Sequence, residues 1–312
     1  MPVKLNIPSN VKIVGANIVP TPTEAAGGAA AWKNLQVDWP WTTWIKPQID
    51  YAVGNTVGCN CIRMIGDYMG VFAGTFTQSY YNANWAQLVS YCAGLGVYVY
   101  VTGGDGNQTA GMANSDIYGN VNSLLSALSS YRNIIGVDVI QELNGWSDGA
   151  PLTRAHAVYT GVKAGGTTLP LSFSCTYPLT GGSAQSYATS MSDAVDYWDW
   201  HVYGMSGYDH TNPLGSSDVD YYVNGYAGYE NIIGEFGSPQ SDTLAQNIGF
   251  FDNVMGIVAK RPSWRGALMW AIQDQDTVTS NEWGMYNASW APRYAFQTAM
   301  RQVSGGYIAK RY

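Results

Sequence analysis

Only five glutamates occur in the 312 residues: Glu24, Glu142, Glu230, Glu235 and Glu282. Two of them close apolar runs that read as buried strands. Glu142 ends Ile134-Ile-Gly-Val-Asp-Val-Ile-Gln-Glu142, and Glu235 sits inside Asn231-Ile-Ile-Gly-Glu-Phe-Gly237. A carboxylate at the end of a buried strand is costly to desolvate unless it has a partner or a task. With 15 Lys and Arg in the whole chain, cationic partners for a purely structural role are scarce. If the two strands face each other across a closed sheet, the carboxyls meet over one opening. A pair ~5–5.5 Å apart is the geometry in which one acid protonates a glycosidic oxygen while the other attacks the anomeric carbon. Strand alternation places Glu142 on one face with Ile140 and Asp138. Glu230, five residues before Glu235 and so roughly 17 Å away by strand rise, belongs to the opposite end and reads as structural. Glu282 is the rival carboxylate.

Something must bring residues 142 and 235 together. Short β-branched or aromatic runs alternate with helix-like stretches along the whole chain, the pattern of βα units. The expected strands are Lys12–Ile18, Cys59–Ile65, Val97–Thr102, Ile135–Gln141, Pro170–Ser174, Tyr197–Tyr203, Asn231–Phe236 and Ala267–Ile272. The expected helices are Thr43–Val53, Asn84–Leu95, Ile117–Tyr131, Thr153–Ala164, Ala184–Ser192, Asp218–Tyr226, Thr243–Ala259 and Pro292–Val303. Asn82 and Asn84 are candidate N-caps for the second helix, and Ser241 and Asp242 precede the seventh. Eight strands close a parallel barrel, so the expected fold is a single-domain (β/α)8 TIM barrel over residues 1–312, with strands four and seven opposed. The loops after strands one (Val19–Trp41), three (Gly103–Ser115) and eight (Gln273–Trp290) are long and lie on the face where such barrels build their sites. A doubly wound sheet would need a glycine-rich phosphate turn directly after strand one. Gly27-Gly28 comes too late.

Composition sets the outer limits. The formal net charge is −7 and 12% of residues are charged, about half the usual ~25%. With no basic cluster, nucleic-acid binding lacks its electrostatic driver, and no apolar run reaches the ~20 residues of a bilayer span. Aromatics make up 13% of the chain, 12 Trp and 23 Tyr against 7 Phe. Such rings suit sugar faces as well as cores, and Trp32, Trp39, Trp41, Trp44, Trp283, Tyr286 and Trp290 fall in or beside the long loops. Low charge with abundant Gly, Ser, Thr and Asn fits an extracellular or virion-associated protein, although Met1–Asn10 has no signal-peptide pattern. Cys59, Cys61, Cys92 and Cys175 lack metal or redox spacing. Cys59 and Cys61, two apart on one expected strand, should face the same way. Free buried thiols and a bridge from Cys59 or Cys61 to Cys92 both stay open.

Other chemistries find little support. The three histidines, His156, His201 and His210, do not form the His-x-His of a metal-dependent barrel hydrolase, so no metal or other cofactor is expected. Asp274-Gln-Asp276 reads as a solvated loop. No Gly-x-Ser-x-Gly elbow occurs, and Gly237-Ser-Pro is a weak phosphate turn.

The motifs together resemble the clan A glycoside hydrolases, retaining (β/α)8 enzymes, and within them glycoside hydrolase family 5. Gly15-Ala-Asn17 is similar to an early Gly-x-Asn, and Gly58-Cys-Asn-Cys-Ile-Arg63 to Gly-x-Asn-x-(Ile/Val)-Arg. Val137-Asp-Val-Ile-Gln-Glu142 resembles the acid/base strand, His201-Val-Tyr203 the His-x-Tyr strand, Gly234-Glu-Phe-Gly237 the nucleophile strand and Met269-Trp270 the last one. The resemblance implies Glu142 as acid/base and Glu235 as nucleophile. It further implies Arg63 and Tyr203 beside Glu235, His201 near substrate or the acid/base, Trp270 as a stacking floor, and Asn17 and Gln141 in support. Gln141 stands where the family has Asn, Leu143 where Pro is common, and Val101-Thr-Gly-Gly-Asp105 lacks an often-present histidine. The activity so implied is hydrolysis of a β-linked poly- or oligosaccharide, endo-acting if the aromatic loops line a cleft. The alternative is a non-catalytic glycan-binding barrel of the same descent.

Overall fold

The computed structural model describes residues 2–22, 37–54, 57–66, 68–109, 111–143, 151–177, 190–203, 228–238, 242–273, 284–286 and 292. Eight parallel strand positions, with helices among the described residues in the connections from the first strand to the fifth and between the last two, form the expected (β/α)8 barrel. They are β1 (Ile13–Ile18), β2 (Cys61–Met64), β3 (Tyr98–Asp105), β4 (Ile134–Gln141), β5 (Leu171–Ser172, resuming at Cys175–Tyr177), β6 (Tyr197–Tyr203), β7 (Glu230–Gly237) and β8 (Trp264–Met269). Pairing runs unbroken from β4 back through β1 to β8, β7 and β6, all parallel. The two pieces of β5 complete the circle, the first on β4 and the second on β6. Across that seam the Ser172 hydroxyl donates to the Tyr197 carbonyl at 2.9 Å and the Asp196 amide to the Leu171 carbonyl at 2.8 Å.

Nearly all the strand residues whose burial is described are buried, half-buried Tyr203 at the end of β6 excepted, because both faces are covered. Outward-facing residues such as Val14, Ala16, Ile62, Val99 and Val139 pack under the helices in one large cluster. Inward-facing Ile13, Cys61, Tyr98, Tyr100, Ile135, Tyr197, Ile232 and Leu268 fill the lower barrel, joined from below by Leu5 and Val11. Residues 2–8 cross that lower end: the Leu5 amide donates to Glu230 Oε2 at 2.8 Å and the Asn6 amide to the Ile135 carbonyl at 2.8 Å. Glu230 also pairs with Arg265. It is therefore structural and distant from the barrel mouth, as its place five residues before Glu235 implies.

Several boundaries differ from the sequence reading, each for a local reason. β3 runs on to Asp105, and the expected loop Gly103–Ser115 instead holds its tail, a turn of helix at Gly106–Thr109 and the start of helix Asn114–Ala127. Gly103 allows this: a Cβ there would lie 2.0 Å from the Val139 carbonyl oxygen, so β3 can hug β4 only without a side chain. The second large helix begins at Gln78, capped by the Thr77 hydroxyl accepting from the Tyr80 amide, so Asn82 and Asn84 lie inside it. Helix Leu244–Lys260 takes Thr243 as its N-cap, in a reciprocal box with Gln246. The first helix is entered through a π-helical turn at Trp41–Ile45, and a short helix at Met69–Phe72 follows β2. β8 stops at Met269, three residues before its expected end. Expected helices Asp218–Tyr226 and Pro292–Val303, most of Ala184–Ser192, and Glu24, Trp32, His210, Asp274, Asp276, Glu282, Trp283 and Trp290 lie outside the described residues.

All four cysteines are free and buried. Burial pushes each thiol up, Cys59 to about 12, which suits inert core residues rather than nucleophiles. Cys59 and Cys61 do not share a face. β2 starts only at Cys61, which points into the barrel, while Cys59 packs outside it. Among the described residues, no helix is long and apolar enough to cross a membrane.

Candidate active site

The C-terminal ends of the strands bring together every expected polar site residue. Arg63, on β2 and fully buried, is the hub. Its Nη1 donates to Asn17 Oδ1 (2.7 Å) and Glu235 Oε1 (2.5 Å), and its Nη2 to Asp138 Oδ2 (2.9 Å) and Gln141 Oε1 (3.2 Å). Four strands are thus tied to one planar fork, a geometry lysine cannot reproduce. Burial works against the Arg63 charge, but Glu235, Asp138 and Asp199 outweigh it and push the pKa further up. Asn17 is as deeply buried, and its Nδ2 donates to the Gly234 and Met269 carbonyls at 2.9 and 3.2 Å. It supports the strands and does not face the opening.

Glu235 is held from both sides. Arg63 takes Oε1 and the Tyr203 hydroxyl donates to Oε2. Both groups are donors aimed at a carboxylate anion. The Tyr203 hydroxyl is pushed well up, first by burial and then by the Glu235 charge, so it stays a donor. Glu142 is different. Its side chain is 32% exposed against 4% for Glu235, and it stands just beyond β4 with φ 53°. That left-handed backbone is uncommon for a residue with a side chain and costs on the order of 1–2 kcal/mol. The cost is met locally: the Glu142 amide donates to Ser174 Oγ and the Leu143 amide to the Ser174 carbonyl, both at 2.9 Å. Strand alternation does not set its direction, and Ile140 packs in the outer cluster. The turn at the end of β4 sets it.

His201 joins the two acids. Its Nδ1 lies 2.9 Å from Glu142 Oε1 and 3.4 Å from Glu235 Oε2. One ligand atom from each of Glu142, His201 and Glu235 lies within 4.8 Å of the others, as does one from each of Asp138, Asp199 and His201. Either triad has the ligand types to hold a cation. Arg63 already supplies positive charge to Glu235 and Asp138. Burial alone would lower the His201 pKa, but the Glu235 charge and the Glu142 hydrogen bond raise it to about 9. Once neutral, the imidazole can still donate from Nδ1 to Glu142 and accept at Nε2 from Arg63 Nη2, 3.4 Å away.

A pKa raised on folding stabilises the protein most below the unfolded value, ~6.5 for histidine, and that contribution is lost as pH rises through about 9. The stability advantage of the wild type over His201→Gln should therefore shrink between those limits by on the order of 2–3 kcal/mol. Urea unfolding of both proteins at pH 6 and pH 9.5 checks this. An advantage independent of pH would show that folding leaves the His201 pKa at its unfolded value, and one that grows with pH would show that the folded imidazole is neutral.

Comparisons with known proteins bear on the scaffold. No protein-family model matches the chain, and no curated protein matches it. Solved structures do. A GH5_18 protein from Streptomyces cattleya, solved with Manb1-4GlcNAc, superposes with TM-score 0.69 at 13% identity, covering 95% of this chain and 82% of that one. A beta-glycosidase, BGL167, gives 0.64 at 12%, covering 98% and 99%. Bacteroides uniformis beta-glucuronidase 2 gives 0.65 at 14%, covering 94% of this chain and 34% of that one. At these identities the likeness is one of fold. The chain spans about a third to a half of the glucuronidases and the beta-galacturonidase of Eisenbergiella tayi that it matches.

The remaining expectations divide. Trp270 is half-buried just beyond β8, packed on Val19 and Ile65, with a cis peptide to Ala271. Trp44 is core, not cleft, its indole donating to the Val19 carbonyl at 2.8 Å. Trp39 and Trp41 stack at 6.2 Å beside Tyr91 and Gln87. Sequence reasoning missed Asp199, Ser174 and Tyr100 and gave Asp138 no task. Asp138 accepts from both Arg63 and the Ser174 amide. A signal for the acids existed: Asp138 and Asp199 are charged residues inside apolar strands, each at the inward phase.

Proposed function

We propose that the chain is a retaining glycoside hydrolase acting on a β-linked poly- or oligosaccharide, with Glu142 as acid/base and Glu235 as nucleophile. The observation that carries this reading is the approach of Glu142 and Glu235, one oxygen of each lying within 4.8 Å of the other. That separation suits the ~5–5.5 Å carboxyl spacing of retaining enzymes, whereas inverting pairs leave ~6.5–9.5 Å for a water. Environment separates the roles. Glu235, clamped by Arg63 and Tyr203, is oriented to attack. Glu142, more exposed and bonded to His201, can trade a proton with a departing or arriving oxygen.

In the first step a Glu235 oxygen bonds to the anomeric carbon as the glycosidic C–O bond breaks, and the leaving oxygen takes its proton from Glu142. In the second, water attacks that carbon, Glu142 takes the water's proton, and the ester bond breaks to restore the Glu235 carboxylate. Trp270, at the rim, would offer a face for the sugar. Neighbours of the same fold whose names are those of glycosidases agree with this class of substrate.

The test is reducing-end release across mannans, glucans, xylans and bacterial surface polysaccharides by the wild type and Glu235→Gln. Release by the wild type alone supports the reading. No release by either, with glycan binding retained, would overturn it in favour of a binding barrel.

A further inference from the structure

We infer that Asp199 is a positioning residue: it fixes the β-bulge at Gly234 and so aims the Glu235 carboxylate. This rests on the reading of Glu235 as nucleophile. β6 and β7 pair Trp200 with Ile233 and then His201 with Glu235, leaving Gly234 as an extra residue on β7. On its other side β7 loses register with β8 between Ile233 and Phe236. A bulge leaves its extra residue without ladder partners, and here two side chains replace them. The Gly234 amide donates to Asp199 Oδ1 at 2.8 Å, and its carbonyl accepts from Asn17 Nδ2 at 2.9 Å. The backbone directly before Glu235 is therefore held by Asp199 from β6 and Asn17 from β1.

Asp199 is itself fixed. It is buried, and Oδ2 accepts from the Tyr100 hydroxyl at 2.5 Å, which accepts in turn from Tyr197 at 2.9 Å. The fit excludes any side chain at 234, where a Cβ would lie 2.3 Å from Asp199 Oδ1. Burial, then the Asp138 charge, raise the Asp199 pKa. Oδ1 accepts the Gly234 amide whether or not Oδ2 carries a proton. An asparagine can therefore replace Asp199 in this task, and a leucine of similar size cannot.

The experiment compares Asp199→Leu, Asp199→Asn and Gly234→Ala, each by kcat, KM and a crystal structure. Because an ångström of misplacement costs about 100-fold in rate, Asp199→Leu and Gly234→Ala should lose kcat by that factor with KM changed less than about twofold. Asp199→Asn should recover to within about fivefold of wild type, and the crystals should show Glu235 displaced only in the first two. If Asp199→Leu does not fold, Gly234→Ala decides, since it breaks the same contact and keeps the acid. Wild-type kcat in Gly234→Ala, an unmoved Glu235, or equal losses in the Asn and Leu variants would overturn the inference. If the wild type hydrolyses nothing, the proposed function falls, and the position of Glu235 in the crystals still decides this point.

Discussion

Replacing Glu235 by Ala should lower kcat at least about 10⁴-fold, the scale of losing a member of a catalytic unit, and azide should restore turnover with a changed product. The small anion fits where the carboxylate stood and attacks the anomeric carbon of an activated aryl β-glycoside directly. One displacement inverts the centre, so the product is the α-glycosyl azide. Glu142→Ala should behave differently. A good aryl leaving group needs no proton, so the glycosyl–Glu235 ester still forms and then waits for a water that nothing deprotonates. Azide, needing no base, releases it as the β-glycosyl azide. The pair of products assigns the two acids separately, and the same anomer from both variants would refute the assignment.

Arg63 should carry the largest stability effect. It is wholly buried between Glu235 and Asp138, with Asn17 and Gln141 on the same fork. Arg63→Met removes the cation and leaves two acids without it. Breaking a buried ion pair from one side costs about 3–5 kcal/mol. Arg63→Lys should recover only part of this, since one ammonium cannot serve Asn17, Glu235, Asp138 and Gln141 together. Adding Asp138→Asn to Arg63→Met should return part of the loss by removing one stranded charge, which a double-mutant cycle in urea would measure. Arg63→Met within about 1 kcal/mol of wild type, inside the range of exposed pairs, would mean that the hub contributes little to folding.

What was legible in the sequence followed from periodicity and from charge in unusual places. Eight apolar runs spaced by helix-like stretches point to the barrel, because eight parallel strands close a ring and the open doubly wound sheet lacks its glycine-rich turn after the first strand. Glu142 and Glu235 stood out as carboxylates closing apolar strands in a chain poor in cations. Less legible was whatever depends on backbone detail. Alternation along β4 could not place Glu142, because a left-handed residue breaks the alternation at that point. The bulge at Gly234 and the pairing of its amide with Asp199 need the register of three strands, which no local pattern encodes. Asn17 carried a visible motif, but its burial shows that the motif serves strand-to-strand bonding and not contact with a ligand. Trp44 reads as a loop aromatic until its indole is seen to bond the Val19 carbonyl beneath the first helix.

In the proposed mechanism Glu142 and Glu235 share one anomeric carbon at a distance that admits no water between them and it. Proton NMR of a hydrolysis in progress measures this most directly, through the configuration of the first-formed hemiacetal before mutarotation. The β-anomer appearing first from a β-linked substrate is the predicted result. The α-anomer appearing first would mean a single displacement by water, and would contradict the account.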